Sequence, residues 1–113
     1  MQYEVYTKGV YQVVKITKPL SLVSDITGLE NVIHELLKKN RVHIAVHFMS
    51  GSYLHSGTAA CLIYCWEIIR ERHGTLALVN ANEDILNFLK IMNFDSKVRI
   101  YNTEKGLELD DFE

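Results

Sequence analysis

The chain has 113 residues, 48% of them hydrophobic, a formal net charge of −2 and two cysteines. That length supports one domain around a single core, and that composition excludes a disordered chain. The scattered Lys and Arg form no basic footprint for nucleic acid, and the apolar run Ala59–Trp66 is shorter than the roughly 20 residues a membrane span needs.

In chain order, QYEVYT and YQVVKIT are rich in Val, Tyr and Thr and flank Lys8-Gly9, which predicts an antiparallel hairpin. Pro19 ends the second strand, because it cannot donate to a ladder. SDITGLENVIHELLKKN places Ile26, Leu29, Val32, Ile33, Leu36 and Leu37 at helical spacing and stops at Asn40. VHIAVHF is a third strand, with Val42, Ile44, Val46 and Phe48 on one face. A second helix is expected from Ser56 to His73, closing on Gly74. TLALVN reads as a strand covered on both faces, and Asn82 as the cap of a third helix, EDILNFLKIMN, with an acidic first turn. KVRIYN is a last strand, followed by a short helix from Thr103. The acidic tail, residues 110–113, is expected to fray.

The fold class that follows is α/β: a small mixed sheet with an N-terminal β-hairpin and about four helices. The connections are short, the crossovers right-handed and the single domain spans 1–113. MQYEVYTKGVYQVVK has no signal-peptide core, so a cytoplasmic location is expected. Cys61 and Cys65, one helical turn apart, fit that reducing compartment as buried small hydrophobes.

This order of elements, with a serine at the loop-to-helix junction after the third strand, resembles the STAS domain of bacterial anti-sigma-factor antagonists. The family's junction reads Asp-Ser-Ser/Thr/Ala-Gly-Leu-Gly after an apolar pair. Here YLHSGTAACL aligns with it: Tyr53-Leu54 takes the pair, His55 the Asp, and Ser56 the serine that a partner kinase phosphorylates. Gly57 and Thr58 replace the next two residues. Downstream, RERHGTLALVNANEDILNFLKIMNFDSKVRIYNTEKGLEL follows the family's helix, Gly, strand, helix, strand and terminal helix. The chain departs from the family at three places: His55, His47 at the end of the third strand, and Lys18-Pro19-Leu20-Ser21, which keeps only the Leu of Gly-x-Leu-Asp.

At the junction two readings of one serine stay open. Ser56 followed by Gly57, Thr58 and two alanines suits a helix cap, worth about 1 kcal/mol. The same positive helix end also suits a phosphate, and a phosphoserine there adds about −1.5 to −2 charges, enough to repel an acidic partner. His55 is either a solvated loop residue or a cation beside that phosphate. His43 and His47 share a strand face roughly 13 Å apart, too far for one metal ion, so neither metal nor cofactor is expected. The second helix is apolar around much of its girth. Core packing explains that, with a homodimer or heteromer patch near Tyr64 and Trp66 as the alternative.

The resemblance implies a non-enzymatic interaction module. Its partner would be an anti-sigma factor that is also a serine kinase, bound through Leu20, Ser21, His55, Ser56, Gly57 and Thr58, with phosphorylation of Ser56 as the switch. The alternative is an unphosphorylated STAS subunit of a lipid-transport or signalling assembly, partnered by a transporter ATPase. An enzyme is disfavoured, because Ser56 and His55 are consecutive, no carboxylate orients the histidine, and SGSYLHSGT is not a phosphate-binding GxxxxGK loop.

Overall fold

A computed structural model describes residues 2–18, 23–49 and 56–110. The elements are β1 (Tyr3–Lys8), β2 (Tyr11–Ile16), α1 (Val23–Lys38), β3 (His43–His47), α2 (Ser56–Glu71), β4 (Thr75–Val79), α3 (Glu83–Ile91), β5 (Arg99–Tyr101) and a terminal 3₁₀ helix (Glu104–Leu109). The expected alternation is present, with a 3₁₀ helix as its last element. β1 and β2 pair antiparallel, from Tyr3 opposite Ile16 to Lys8 opposite Tyr11. Lys8, expected in the turn, is therefore the last strand residue, and the turn is Gly9-Val10, with Gly9 at φ 60°. β2, β3, β4 and β5 follow side by side in parallel, so the sheet order equals the chain order.

Right-handed crossovers between consecutive strands put α1, α2 and α3 on one face of the sheet. There Val14, Ile16, Ile44, Val46, Leu76 and Leu78 meet Leu29 and Ile33 of α1, Leu62 and Ile69 of α2, and Ile85 and Leu89 of α3. Cys61 and Cys65 are buried in this layer as thiols, their sulfurs 3.9 Å apart. The opposite face is small: Val13, Ala45, Ala77 and Val79, closed by Tyr11 and by the fully buried Leu107 of the 3₁₀ helix. β4 is thus covered on both sides, as its unbroken apolar run requires.

The helix ends follow local chemistry. Asn40 takes φ 60° just past α1, and Asn82 Oδ1 accepts the Ile85 N–H at 3.0 Å to cap α3. After α2 the left-handed residue is His73, at φ 59°, one position before the expected glycine. Gly74 is needed for room: a Cβ there would lie 2.1 Å from the Val42 carbonyl oxygen.

One expectation is corrected. Asp110 does not fray: its carboxylate accepts the hydroxyls of Tyr11 and Tyr101, each at 2.5 Å, and lies 3.3 Å from Arg99. Residues 111–113 lie outside the described residues. Tyr64 and Trp66, two apart on α2, point to opposite flanks of the helix. The Tyr64 hydroxyl pairs with His34 Nε2 of α1 at 2.9 Å, whereas Trp66 Nε1 donates to the Lys97 carbonyl at 3.0 Å. Among the described residues, no helix is long and apolar enough to cross a membrane.

Candidate functional site

The carboxyl ends of parallel strands are where an α/β sheet presents its loops, and here β2 and β3 end beside each other, with Lys15 opposite His47. The rim is tied together from behind. The Phe48 N–H donates to the Val79 carbonyl at 3.0 Å and the Asn80 N–H to the Tyr101 carbonyl at 3.0 Å. Asn80, at φ 59°, also sends its side-chain amide to the Phe48 carbonyl at 3.1 Å. One asparagine therefore links the ends of β3, β4 and β5. In front of it lies a depression of about 330 Å³ lined by Lys15, Ile16, Thr17, His47, Phe48, Met49 and Asn80.

Both connections that carry the expected site residues leave from this rim. The first follows β2 after Lys18, and Leu20 and Ser21 on it lie outside the described residues. The second follows β3 after Met49; His55 on it lies outside them too, as do Tyr53 and Leu54. The second connection delivers the chain into α2, whose first residue is Ser56, with Gly57 and Thr58 completing the opening turn. That turn carries no acidic residue, so nothing in it offsets the positive end of the helix. The helix is anchored one residue further on: Ala59, Leu62, Cys65 and Ile69 are all buried on one stripe facing the sheet. The described chain thus leaves toward α1 and toward α2 from neighbouring strand ends on one rim, and it is described again from Ser56, the first residue of α2.

What the sequence did not reveal is a polar clasp on the far face. Glu104, the first residue of the 3₁₀ helix, accepts hydrogen bonds from the Tyr6 hydroxyl and from His47 Nδ1, and lies 3.5 Å from the Lys8 ammonium. Burial alone would raise the Glu104 carboxyl pKa, but these two donors and the charges of His47 and Lys8 outweigh it and hold the pKa below its ordinary value. Asp110 closes the other end of the same helix. Burial works to raise its pKa too, and the Tyr101 and Tyr11 hydroxyls with the Arg99 guanidinium bring it below its ordinary value. Burial and these carboxylates push the Tyr6 and Tyr11 hydroxyl pKa values up. His43, on the same face as His47, has its imidazole pKa lowered by burial and then by Arg99. His47 belongs to both regions, lining the rim depression while its ring binds the clasp. The sequence signal was present in part: Tyr6, Tyr11 and His47 fall on one sheet face by alternation, and the acidic residues lie in the last ten positions described.

No protein-family model matches the sequence, and no curated protein matches it. Solved structures do match. A Thermotoga maritima protein assigned as an anti-sigma-factor antagonist superposes with a TM-score of 0.80 at 21% identity, over 94% of this chain and 92% of that one. The chain has the STAS fold. An anti-sigma-factor antagonist (STAS) domain protein of Planctomyces limnophilus has a TM-score of 0.76 at 15% identity, over 95% of both chains. The phosphorylated form of the Bacillus cell fate determinant SpoIIAA has a TM-score of 0.75 at 10% identity, over 95% of this chain and 97% of that one. On this STAS scaffold the rim, the α2 amino end and the clasp are the polar features of the sheet's carboxyl side and far face. Among the described residues, no three His, Cys, Asp or Glu side chains converge as a metal ion requires.

Proposed function

We propose that the protein is a non-enzymatic interaction module of the anti-sigma-factor-antagonist type, acting in the cytoplasm on a kinase-type anti-sigma factor. The observation that supports this reading is that β2 and β3 end side by side on one rim, the points from which the chain leaves toward α1 and α2, with α2 beginning at Ser56. The partner docks over Leu20, Ser21, His55, Ser56, Gly57 and Thr58, and its kinase activity modifies Ser56. A phosphate placed at the amino end of a 16-residue helix is stabilised by the free N–H groups there and brings about −1.5 to −2 charges to the docking surface. The complex then dissociates. The solved structures support the reading by their kind, since two of them are anti-sigma-factor antagonists by name and SpoIIAA was solved phosphorylated.

The experiment is to incubate the protein with its partner kinase and ATP, locate any phosphate by mass spectrometry, and measure partner binding by calorimetry. Modification confined to Ser56, weak binding by Ser56→Asp and undiminished binding by Ser56→Ala are expected. Tight binding by Ser56→Asp, with no modification of the wild type, points instead to an unphosphorylated STAS subunit of a transport or signalling assembly.

A further inference from the structure

The opposite rim, at the amino ends of β4 and β5, carries a groove of roughly 300 Å³ lined by Trp66, Arg70, Thr75, Ser96, Lys97 and Arg99 among others. Two cations, Arg70 of α2 and Lys97 of the α3–β5 turn, meet there, and among the described residues no carboxylate lines the groove, although the chain as a whole carries a net charge of −2. Both are arranged by the indole. The Arg70 guanidinium lies 4.8 Å and the Lys97 ammonium 5.1 Å from the Trp66 ring centre. Trp66 is itself fixed, by its N–H to the Lys97 carbonyl at 3.0 Å and by an edge-to-face contact with Phe94 at 5.4 Å. Among the described residues, neither Arg70 nor Lys97 is paired with a carboxylate. The Arg99 guanidinium is turned away from the groove, to Asp110 at 3.3 Å in the clasp on the far face.

We propose that this groove binds a small, multiply charged phosphate anion. Two cations held beside one indole, without a carboxylate partner among the described residues, suit a compact anion of more than one charge. Thr75 and Ser96 add hydroxyls to the wall, and the low-dielectric backing of Trp66, Leu76 and Val98 concentrates the field of the cations. The site is independent of Ser56, so its test is independent of the switch.

The full chain is titrated with sodium tripolyphosphate at fixed ionic strength. Binding is read by calorimetry and by the emission of Trp66, the one tryptophan in the sequence. Saturable one-to-one binding is expected, weakened about tenfold by either Arg70→Ala or Lys97→Ala. Citrate is expected to bind more weakly than tripolyphosphate. Lys38→Ala, whose side chain pairs with Glu35 on α1, leaves the affinity unchanged. Absence of saturable heat into the millimolar range overturns the proposal. So does wild-type affinity in the Arg70→Ala/Lys97→Ala double variant, or equal affinity for citrate.

Discussion

Replacing Asp110 by Asn tests whether the clasp holds the terminal 3₁₀ helix to the sheet. The native carboxylate accepts the Tyr11 and Tyr101 hydroxyls at 2.5 Å and faces Arg99 at 3.3 Å, with its side chain only 10% exposed. A hydrogen bond to a charged group contributes about 1.5–3 kcal/mol. Asn keeps one acceptor oxygen but turns an amide N–H₂ toward donors and removes the charge that Arg99 faces. One tyrosine therefore loses its partner, and the Arg99 contact weakens. The Arg99 share is small, because that side chain is 45% exposed and solvent screens it. The expected loss is about 2 kcal/mol, which in a domain of this size lowers Tm by about 8 °C. Urea and thermal unfolding followed by circular dichroism read it directly. Tyr11→Phe alone should cost about 1 kcal/mol, and a double-mutant cycle with Asp110→Asn should return a coupling of about 1 kcal/mol. Additive single effects, or an Asp110→Asn stability within about 0.5 kcal/mol of wild type, would refute the Asp110 end of the clasp and leave Leu107 and Glu104 to anchor the helix.

Two further outcomes follow from the same structure. Because the Asp110 and Glu104 pKa values lie below their ordinary 3.8 and 4.5, the stability the clasp contributes is complete above those ordinary values and is lost as pH falls through the folded ones. Tyr6 and Tyr11, raised above their ordinary 10.0, place the opposite limit: their contribution is complete below that value and is lost as pH rises through the folded ones. Urea midpoints measured across pH should show both slopes, and Asp110→Asn should flatten the acid one. Gly74→Ala would place a methyl 2.1 Å from the Val42 carbonyl oxygen and 2.8 Å from Ile69, so backbone must move, at a cost of about 3 kcal/mol or more. A loss under about 1 kcal/mol in the same denaturation assay would contradict that packing.

Much of this architecture was legible because periodicity and turn chemistry agree along the chain. TLALV reads as doubly covered and is; Asn40 and Asn82 end and begin helices as their side chains and backbone preferences dictate. Gly74 shows where local reading falls short. Placed near a helix end, it looks like a left-handed stop, yet His73 performs that task and the glycine answers to Val42, 32 positions earlier and just before β3. Asp110 fails in the same way: a run of acidic residues reads as solvated, and the partners that hold it are Tyr11, Tyr101 and Arg99. For the site, Ser56 was readable as the start of α2, but the shared rim was not, since it depends on β2 and β3 being parallel neighbours. In the groove, Trp66 and Arg70 are one helical turn apart and pair as their spacing predicts, whereas Lys97 reaches them from the α3–β5 turn, which no spacing foretells.

The clasp also sets an order of events in folding. Its Tyr6–Glu104 and Tyr11–Asp110 contacts join residues 98 and 99 positions apart, nearly the length of the chain. Contacts of such separation carry the greatest loop-closure cost and form only once the intervening sheet has brought their ends together. During synthesis the helix-covered face can assemble as each strand and helix emerges, whereas Val13, Ala45 and Ala77 stay uncovered until Leu107 and Asp110 have left the ribosome. The hairpin, made first, is therefore sealed last. A nascent chain halted before residue 104 holds a nearly finished sheet with one bare apolar face, a surface for chaperones or for aggregation.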